Sequence, residues 1–166
     1  SRRQRQMCIR DREESMKKIS ILLVVFCALL VGCSSKKGLD GSLSEIMKEV
    51  YAGIPSDDLP DLENNKVTRE NFSYYLGDVT FKYKEALASE PAMSSIAHSV
   101  VLVRLEDAKD ADKAMKEIKE KVDPRKWVCV GVADENVLVV NRGDIVMLVM
   151  DDELAQTIKD NFLNLE

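Results

Sequence analysis

Apolar positions change their spacing along this 166-residue chain, and each change predicts an element. Ser42-Leu43-Ser44-Glu45 has the form of a capping box, and Leu43, Ile46, Met47, Val50 and Tyr51 follow at helical spacing on one face. A helix is expected over 43–52, with Gly53 as its left-handed stop and Pro55 preventing its resumption. Thr68 can cap a short helix through Leu76, with Phe72 and Tyr75 inward and Gly77 ending it. The period then falls to two. Val79, Phe81 and Tyr83 alternate with polar residues, and AHSVVLVRLE from Ala97 is a β-branched run expected as a buried strand, with residues 89–95 turning the chain between the two.

Asp110 to Val122 is the clearest helix. Ala111, Ala114, Met115, Ile118 and Val122 form its stripe, acids open it, and Lys119 and Lys121 close it in the sense the helix dipole favours. KWVCVGV is short and apolar, an edge strand or a covered loop with Trp127 as a core anchor and Cys129 as a small buried hydrophobe. NVLVVNRGDIVMLVMDD predicts two strands around a compact turn in which Gly143 takes positive φ. Asp151 or Asp152 then caps a last helix carrying Leu154, Ala155, Ile158, Phe162 and Leu165 on one face. The expected architecture is α+β: a four-stranded, mainly antiparallel sheet from two ββα halves with helices packed on one face, preceded by an N-terminal helix. It occupies one globular domain, residues 42–166.

The apolar run ahead of this domain changes the picture. Ile19 to Val31 is uncharged for 13 residues, whereas a membrane-spanning helix needs about 20. Met16-Lys17-Lys18 supplies the positive flank of an export signal, and the run ends in Leu30-Val31-Gly32-Cys33-Ser34. That ending resembles the lipobox of bacterial lipoproteins, and the resemblance implies cleavage between Gly32 and Cys33 and attachment of a diacylglycerol to the Cys33 sulfur. Two acyl chains anchor stably where one holds only marginally. Residues 16–32 are accordingly expected to be a signal peptide, and residues 33–41 the lipidated cysteine with a polar, flexible tether. Residues 1–15, SRRQRQMCIRDREES, are basic and lack apolar periodicity. They resemble translated adapter sequence and are expected to be non-native.

Seven of the 24 Lys and Arg and three of the 29 Asp and Glu precede Cys33, so a chain beginning there carries a net charge near −9. Such a balance argues against nucleic acid, whose binding proteins present a basic face. It also disfavours broad adsorption to anionic lipid, except at Lys36 and Lys37. Cys129 is the one cysteine after Cys33, which excludes an internal disulfide, and with a single histidine the domain lacks the four ligands of a structural zinc site. Asp57, Asp58, Asp61 and Glu63 do not match the spacing of a calcium loop and read as a solvated loop. Arg142-Gly143-Asp144 is the tripeptide displayed by integrin ligands, but turn chemistry alone accounts for it. No cofactor is implied.

The best case for catalysis is SEPAMSSIAHS, where Glu90, Ser94, Ser95, Ser99 and His98 lie close in sequence. Nucleophilic catalysis needs a base within hydrogen-bond reach of the hydroxyl and a third group that orients the base. Along a strand, however, His98 faces the side of Val100 and Leu102 and Ser99 the other side, so a hydrogen-bonded structural histidine is favoured. Neither a G-x-S-x-G elbow, an H-E-x-x-H pair nor a phosphate-cradling glycine loop is present. His98 and Trp127 remain as candidate binding residues.

EIMKEVYAGI, YYLGD, EALASEPAMSSIAHSVVLVRLED, IKEKVDPRKWVCVGV and VVNRGDIVMLVM together resemble a group of small lipoproteins of clostridia-like Gram-positive bacteria that share a domain of unknown function. The resemblance implies a location and a shared fold, and brings no catalytic residue with it. The expected function is a non-enzymatic binding or accessory module of the cell envelope, tethered to the outer face of the cytoplasmic membrane and meeting an envelope protein or small ligand. The alternative is an envelope hydrolase using a Ser/His pair within residues 94–99.

Overall fold

A computed structural model describes residues 38–166; the expected leader, signal peptide and Cys33 lie outside them. Four helices and five strands follow in the order α1 (Leu43–Val50), β1 (Leu62–Lys66), α2 (Phe72–Leu76), β2 (Tyr83–Pro91), β3 (Ser99–Leu105), α3 (Ala111–Lys121), β4 (Val137–Arg142), β5 (Ile145–Met150) and α4 (Ala155–Asn164). The class is α+β, and every strand pair is antiparallel.

Local chemistry sets the first helix as expected. The Ser42 hydroxyl accepts from the Glu45 N–H at 3.3 Å while the Glu45 carboxylate accepts from the Ser42 N–H at 2.9 Å, a complete capping box. Leu43, Ile46, Met47 and Val50 are buried, and Gly53 takes φ +78°. At the second helix Thr68 does not cap directly. Its N–H donates to Asn71 Oδ1 at 2.7 Å, making a turn from which α2 starts at Phe72. In the last hairpin Gly143, at φ +58°, stands first of the two residues between β4 and β5, the place a type II′ turn reserves for glycine.

The sheet corrects the expected count of four. Its order is β1-β2-β3-β5-β4, and the additional strand is LENNK, read as part of a solvated loop. It pairs with the far half of β2, from Leu62 opposite Pro91 to Lys66 opposite Leu87. Being an edge strand held through its backbone, it needs no alternation of apolar side chains. Residues 89–91, expected in a turn, continue β2 because β1 and β3 offer hydrogen-bonding partners on both sides.

Helices pack on both faces, not one. Side chains of Val101, Val103, Val146, Leu148 and Met150 meet Ala114 and Ile118 of α3, Leu76 of α2 and Trp127. On the opposite face Val100, Leu102, Ile145, Met147 and Val149 meet Ile46, Met47 and Val50 of α1 and Ile158 and Phe162 of α4. The succession of two strands and a helix does occur twice from β2 onward, but α3 and α4 end on opposite sides of the sheet. The physical reason is that β3 and β5 are apolar at successive positions, so both faces must be covered. Leu39, assigned to the flexible tether, is also buried in the second core, and Arg104 donates to the carbonyl oxygens of Leu39 and Gly41 at 3.4 and 2.6 Å. The body thus begins near Gly38.

These contacts define two ends of the sheet. The near end, where Gly38–Gly41 joins, carries Tyr83, Arg104 and Ile145; the far end carries Leu62, Pro91, Ser99 and Met150, and Lys66, opposite Leu87, stands midway with residues 67–69 continuing toward the near end.

Gly77 is the tightest backbone position. It sits at φ +76°, ψ −177°, a region open essentially to glycine alone, and a Cβ there would lie 2.2 Å from the Lys121 carbonyl oxygen. Gly77→Ala should lower unfolding free energy by about 3 kcal/mol or more, read from the urea midpoint at constant slope.

Candidate functional site

The far end of the sheet gathers the buried polar residues other than Arg142, in two groups on opposite faces. On the α1/α4 side stands His98, 1% exposed, at the start of β3. Its Nδ1 lies 2.8 Å from Asp151 Oδ2 and its Nε2 lies 2.9 Å from the Tyr51 hydroxyl. Tyr51 is there because α1 ends at that point, and Asp151 because β5 does. The second Asp151 oxygen accepts from the N–H groups of Glu153 and Leu154 at 2.8 and 2.5 Å, which directs the chain into α4. The expected cap is thereby corrected: Asp151 closes the turn that leads into the helix, whose own N-cap is Leu154 without a side-chain hydrogen bond.

Burial acts to raise the Asp151 pKa, but the hydrogen bonds from His98, Leu154 and Glu153 together outweigh it and hold the carboxyl below its ordinary value. An ionised Asp151 can only accept, so His98 Nδ1 donates to it, while Nε2 shares a hydrogen bond with the Tyr51 hydroxyl. Burial pushes the Tyr51 phenol well up, with a hydrogen bond from Ser89 opposing it, so the hydroxyl keeps its proton. The result is a continuous carboxylate–imidazole–phenol line. It orders three elements, and its outermost hydroxyl is a poor nucleophile.

On the α3 side Ser99 Oγ, fully buried, donates to Glu90 Oε1 at 2.6 Å. Lys126 Nζ pairs with the same carboxylate oxygen and lies 3.4 Å from Ser99 Oγ. The Lys126 side chain is 4% exposed, and its ammonium sits 4.5, 5.0 and 5.3 Å from the ring centres of Tyr74, Tyr75 and Trp127. Desolvation lowers the Lys126 pKa, and Glu90 opposes that shift. Burial, seconded by Glu90, raises both tyrosines. This is an internal ion pair in an aromatic cage, already occupied by the chain's own ammonium.

The structure therefore divides the catalytic candidates. His98 and Ser99 face opposite sides of the sheet, as strand geometry predicts, and neither ring nitrogen of His98 meets a serine at hydrogen-bond distance. Glu90 and Ser99 do come together, without the histidine. Ser95 is exposed in the loop after β2, and the Ser94 carbonyl accepts from the Val128 N–H at 2.8 Å. Trp127 is a buried core anchor, as expected, while Gly32 and Cys33 lie outside the described residues. Cys129 is corrected: it is exposed at φ +63°, because Trp127 fills the core position and the following residues pair with no strand. Arg142 is buried and donates to the Leu165 carbonyl, so its tripeptide is not displayed as integrin ligands display theirs. Among the described residues no three His, Cys, Asp or Glu side chains gather to hold a metal ion.

Sequence reasoning missed Lys126 altogether and did not connect Tyr51 or Asp151 with His98. These contacts join residues 27 to 53 positions apart, and Lys126 sits beside Arg125 in the way a solvated lysine would.

Beside these sealed groups the far end also exposes apolar side chains. Met93 is 61% and Val128 60% exposed, and the bond from Val128 to Ser94 brings their loops together. A groove of about 530 Å³ runs beside them, with Trp127, Cys129 and Val130 in its wall. Among the described residues no helix is long and apolar enough to cross a membrane. No family model matches the chain, and comparison with curated proteins and with solved structures finds no match.

Two outcomes follow from the buried groups. Lys126→Met leaves the Glu90 carboxylate buried without its counter-ion and should destabilise the protein by about 3–5 kcal/mol, whereas adding Glu90→Gln should restore most of the loss. A urea-unfolding double-mutant cycle reads the coupling. Because the folded Asp151 pKa lies below its ordinary value, the stability it lends is complete above about pH 4 and is lost as pH falls through the folded pKa. The urea midpoint should decline below about pH 4, with a shallower slope in Asp151→Asn; equal slopes would remove Asp151 from the cause.

Proposed function

We propose that this chain is an extracytoplasmic, lipid-anchored module of the cell envelope that binds a protein partner through the loops at the far end of its sheet and carries out no catalysis of its own. The observation that carries the reading is the division of labour at that end. Groups with chemical potential, His98, Ser99, Glu90 and Lys126, are sealed and satisfied by one another. The side chains turned to solvent beside them are Met93, Val128 and Val130. Apolar side chains presented together on stitched loops serve contact rather than bond cleavage.

The anchor at Cys33 is supported by the lipobox-like residues at 30–34 and by the charged flank at 17–18. Hydrolysis by Ser95 or Ser99 with His98 is the less favoured reading, since the ring and both hydroxyls lack the geometry of a nucleophile–base pair.

A photo-crosslinking residue in place of Met93 or of Val128 should capture the same envelope protein in intact cells, and one in place of the exposed Lys116 on α3 should not. Capture of nothing from either loop position, or equal capture from all three, would refute the reading.

A further inference from the structure

Although the chain as a whole is acidic and carboxylates such as Asp40, Asp107 and Asp144 also stand near the Gly38–Gly41 end, one groove gathers cations. Around the far end Asp57, Asp58, Asp61, Glu63, Asp134 and Glu135 are all exposed. At the near end a groove of about 610 Å³ is lined instead by Lys66, Arg69, Lys82 and Lys84, with Thr68 between the first two. All four cationic side chains are exposed, and among the described residues no carboxylate lies within 4.0 Å of any of them. Two carboxylates line the groove. Glu85 is engaged by Arg104 at 2.9 Å, which leaves Glu106 facing four cations.

Arg104 also connects this groove to the incoming chain, because its guanidinium holds the Leu39 and Gly41 carbonyls while its Nε holds Glu85. From Cys33 to Gly38 the chain can reach at most about 18 Å. An anchor at Cys33 would therefore hold the end of the sheet that carries Arg104 and the groove next to the bilayer.

We propose that the groove formed by Lys66, Arg69, Lys82 and Lys84 is a docking surface for the phosphate headgroups of anionic phospholipids, and that it orients the tethered body with its far end turned away from the membrane. The negative potential of an anionic leaflet attracts basic side chains within about one Debye length, and the four that line this groove have no carboxylate within 4.0 Å among the described residues. The orientation rests on the anchored reading of Cys33. It deepens that reading by assigning the far-end loops, Met93 and Val128 among them, to the solvent side where a partner can approach.

The test separates the groove from the anchor. The chain from residue 33 onward carrying Cys33→Ser, which lacks both the apolar run 19–31 and the thiol expected to be acylated, is sedimented with vesicles of phosphatidylcholine alone or with 30% phosphatidylglycerol (roughly one lipid in three anionic, enough for a strong surface potential). The comparison protein carries Lys66→Gln, Arg69→Gln, Lys82→Gln and Lys84→Gln in the same background. The expected result is about tenfold stronger partition of the first protein onto the anionic vesicles, vanishing at high salt and on phosphatidylcholine. Equal partition of the two proteins overturns the proposal. So does loss of the difference on adding inorganic phosphate at a concentration too low to screen charge, which would assign the groove to a free anion. A native product whose Cys33 sulfur is bare would refute the anchor while leaving the sedimentation result to judge the groove.

Discussion

Everything in this fold follows from the burial of its two central strands on both faces at once. All six side chains of β5 are buried, as are all of β3 except Arg104. Each such Val, Leu, Ile or Met contributes about 1.5–3 kcal/mol when fully removed from water, but only if a second layer covers it. A sheet with one wet face would leave half of this surface exposed. α1 and α4 therefore cover one side, and α3, α2 and Trp127 the other. The same demand draws Leu39 into the core and fixes where the chain enters.

Strands of this kind have no place for polar side chains except at their ends. At the far end Ser89, Glu90, His98, Ser99 and Asp151 are buried where β2, β3 and β5 meet the loops. An unsatisfied buried polar group costs about 1–3 kcal/mol, so partners must arrive from other elements: Tyr51 from the end of α1, Lys126 from the loop after α3. Their arrangement invites comparison with catalytic relays. Yet each group is accounted for by the closure of the sheet end, with each of them hydrogen-bonded and the only histidine enclosed. Seen this way the far end is a plug, and its outward surface is the apolar rim on the loops.

How much of this was legible in the sequence depends on the range of the interaction. The Ser42–Glu45 capping box, α3 and the Gly143 turn are decided within a few residues and stand where their patterns place them. β1 was hidden, because LENNK is held by backbone pairing at an edge and carries no alternating apolar positions. The two-sided packing had a visible sign in the unbroken runs SVVLVRL and IVMLVM, since a half-wet strand would alternate. Taking both helices to one face overlooked it. For the site, the period of two separated His98 from Ser99 correctly. The identity of their partners depended on tertiary contacts for which neighbouring residues give no signal. Cys129 misled for a related reason: valines on either side suggest burial, but Val128 and Val130 are exposed because Trp127 takes the core position.

The net charge of the chain likewise conceals what the fold does with it. β3 has seven residues and rises about 20 Å from far end to near end, more than twice the screening length of about 8 Å at physiological salt. Charges at the two ends are therefore nearly independent in their action on anything at the surface. A net charge near −9 would by itself predict repulsion from anionic lipid, and a sequence sum can say no more. Once Lys66, Arg69, Lys82 and Lys84 share one groove, and one of its two carboxylates, Glu85, is engaged by Arg104, the local sign there is opposite to that of the sum. A negative surface within a screening length responds to that local sign, without any contact that depends on the identity of a headgroup.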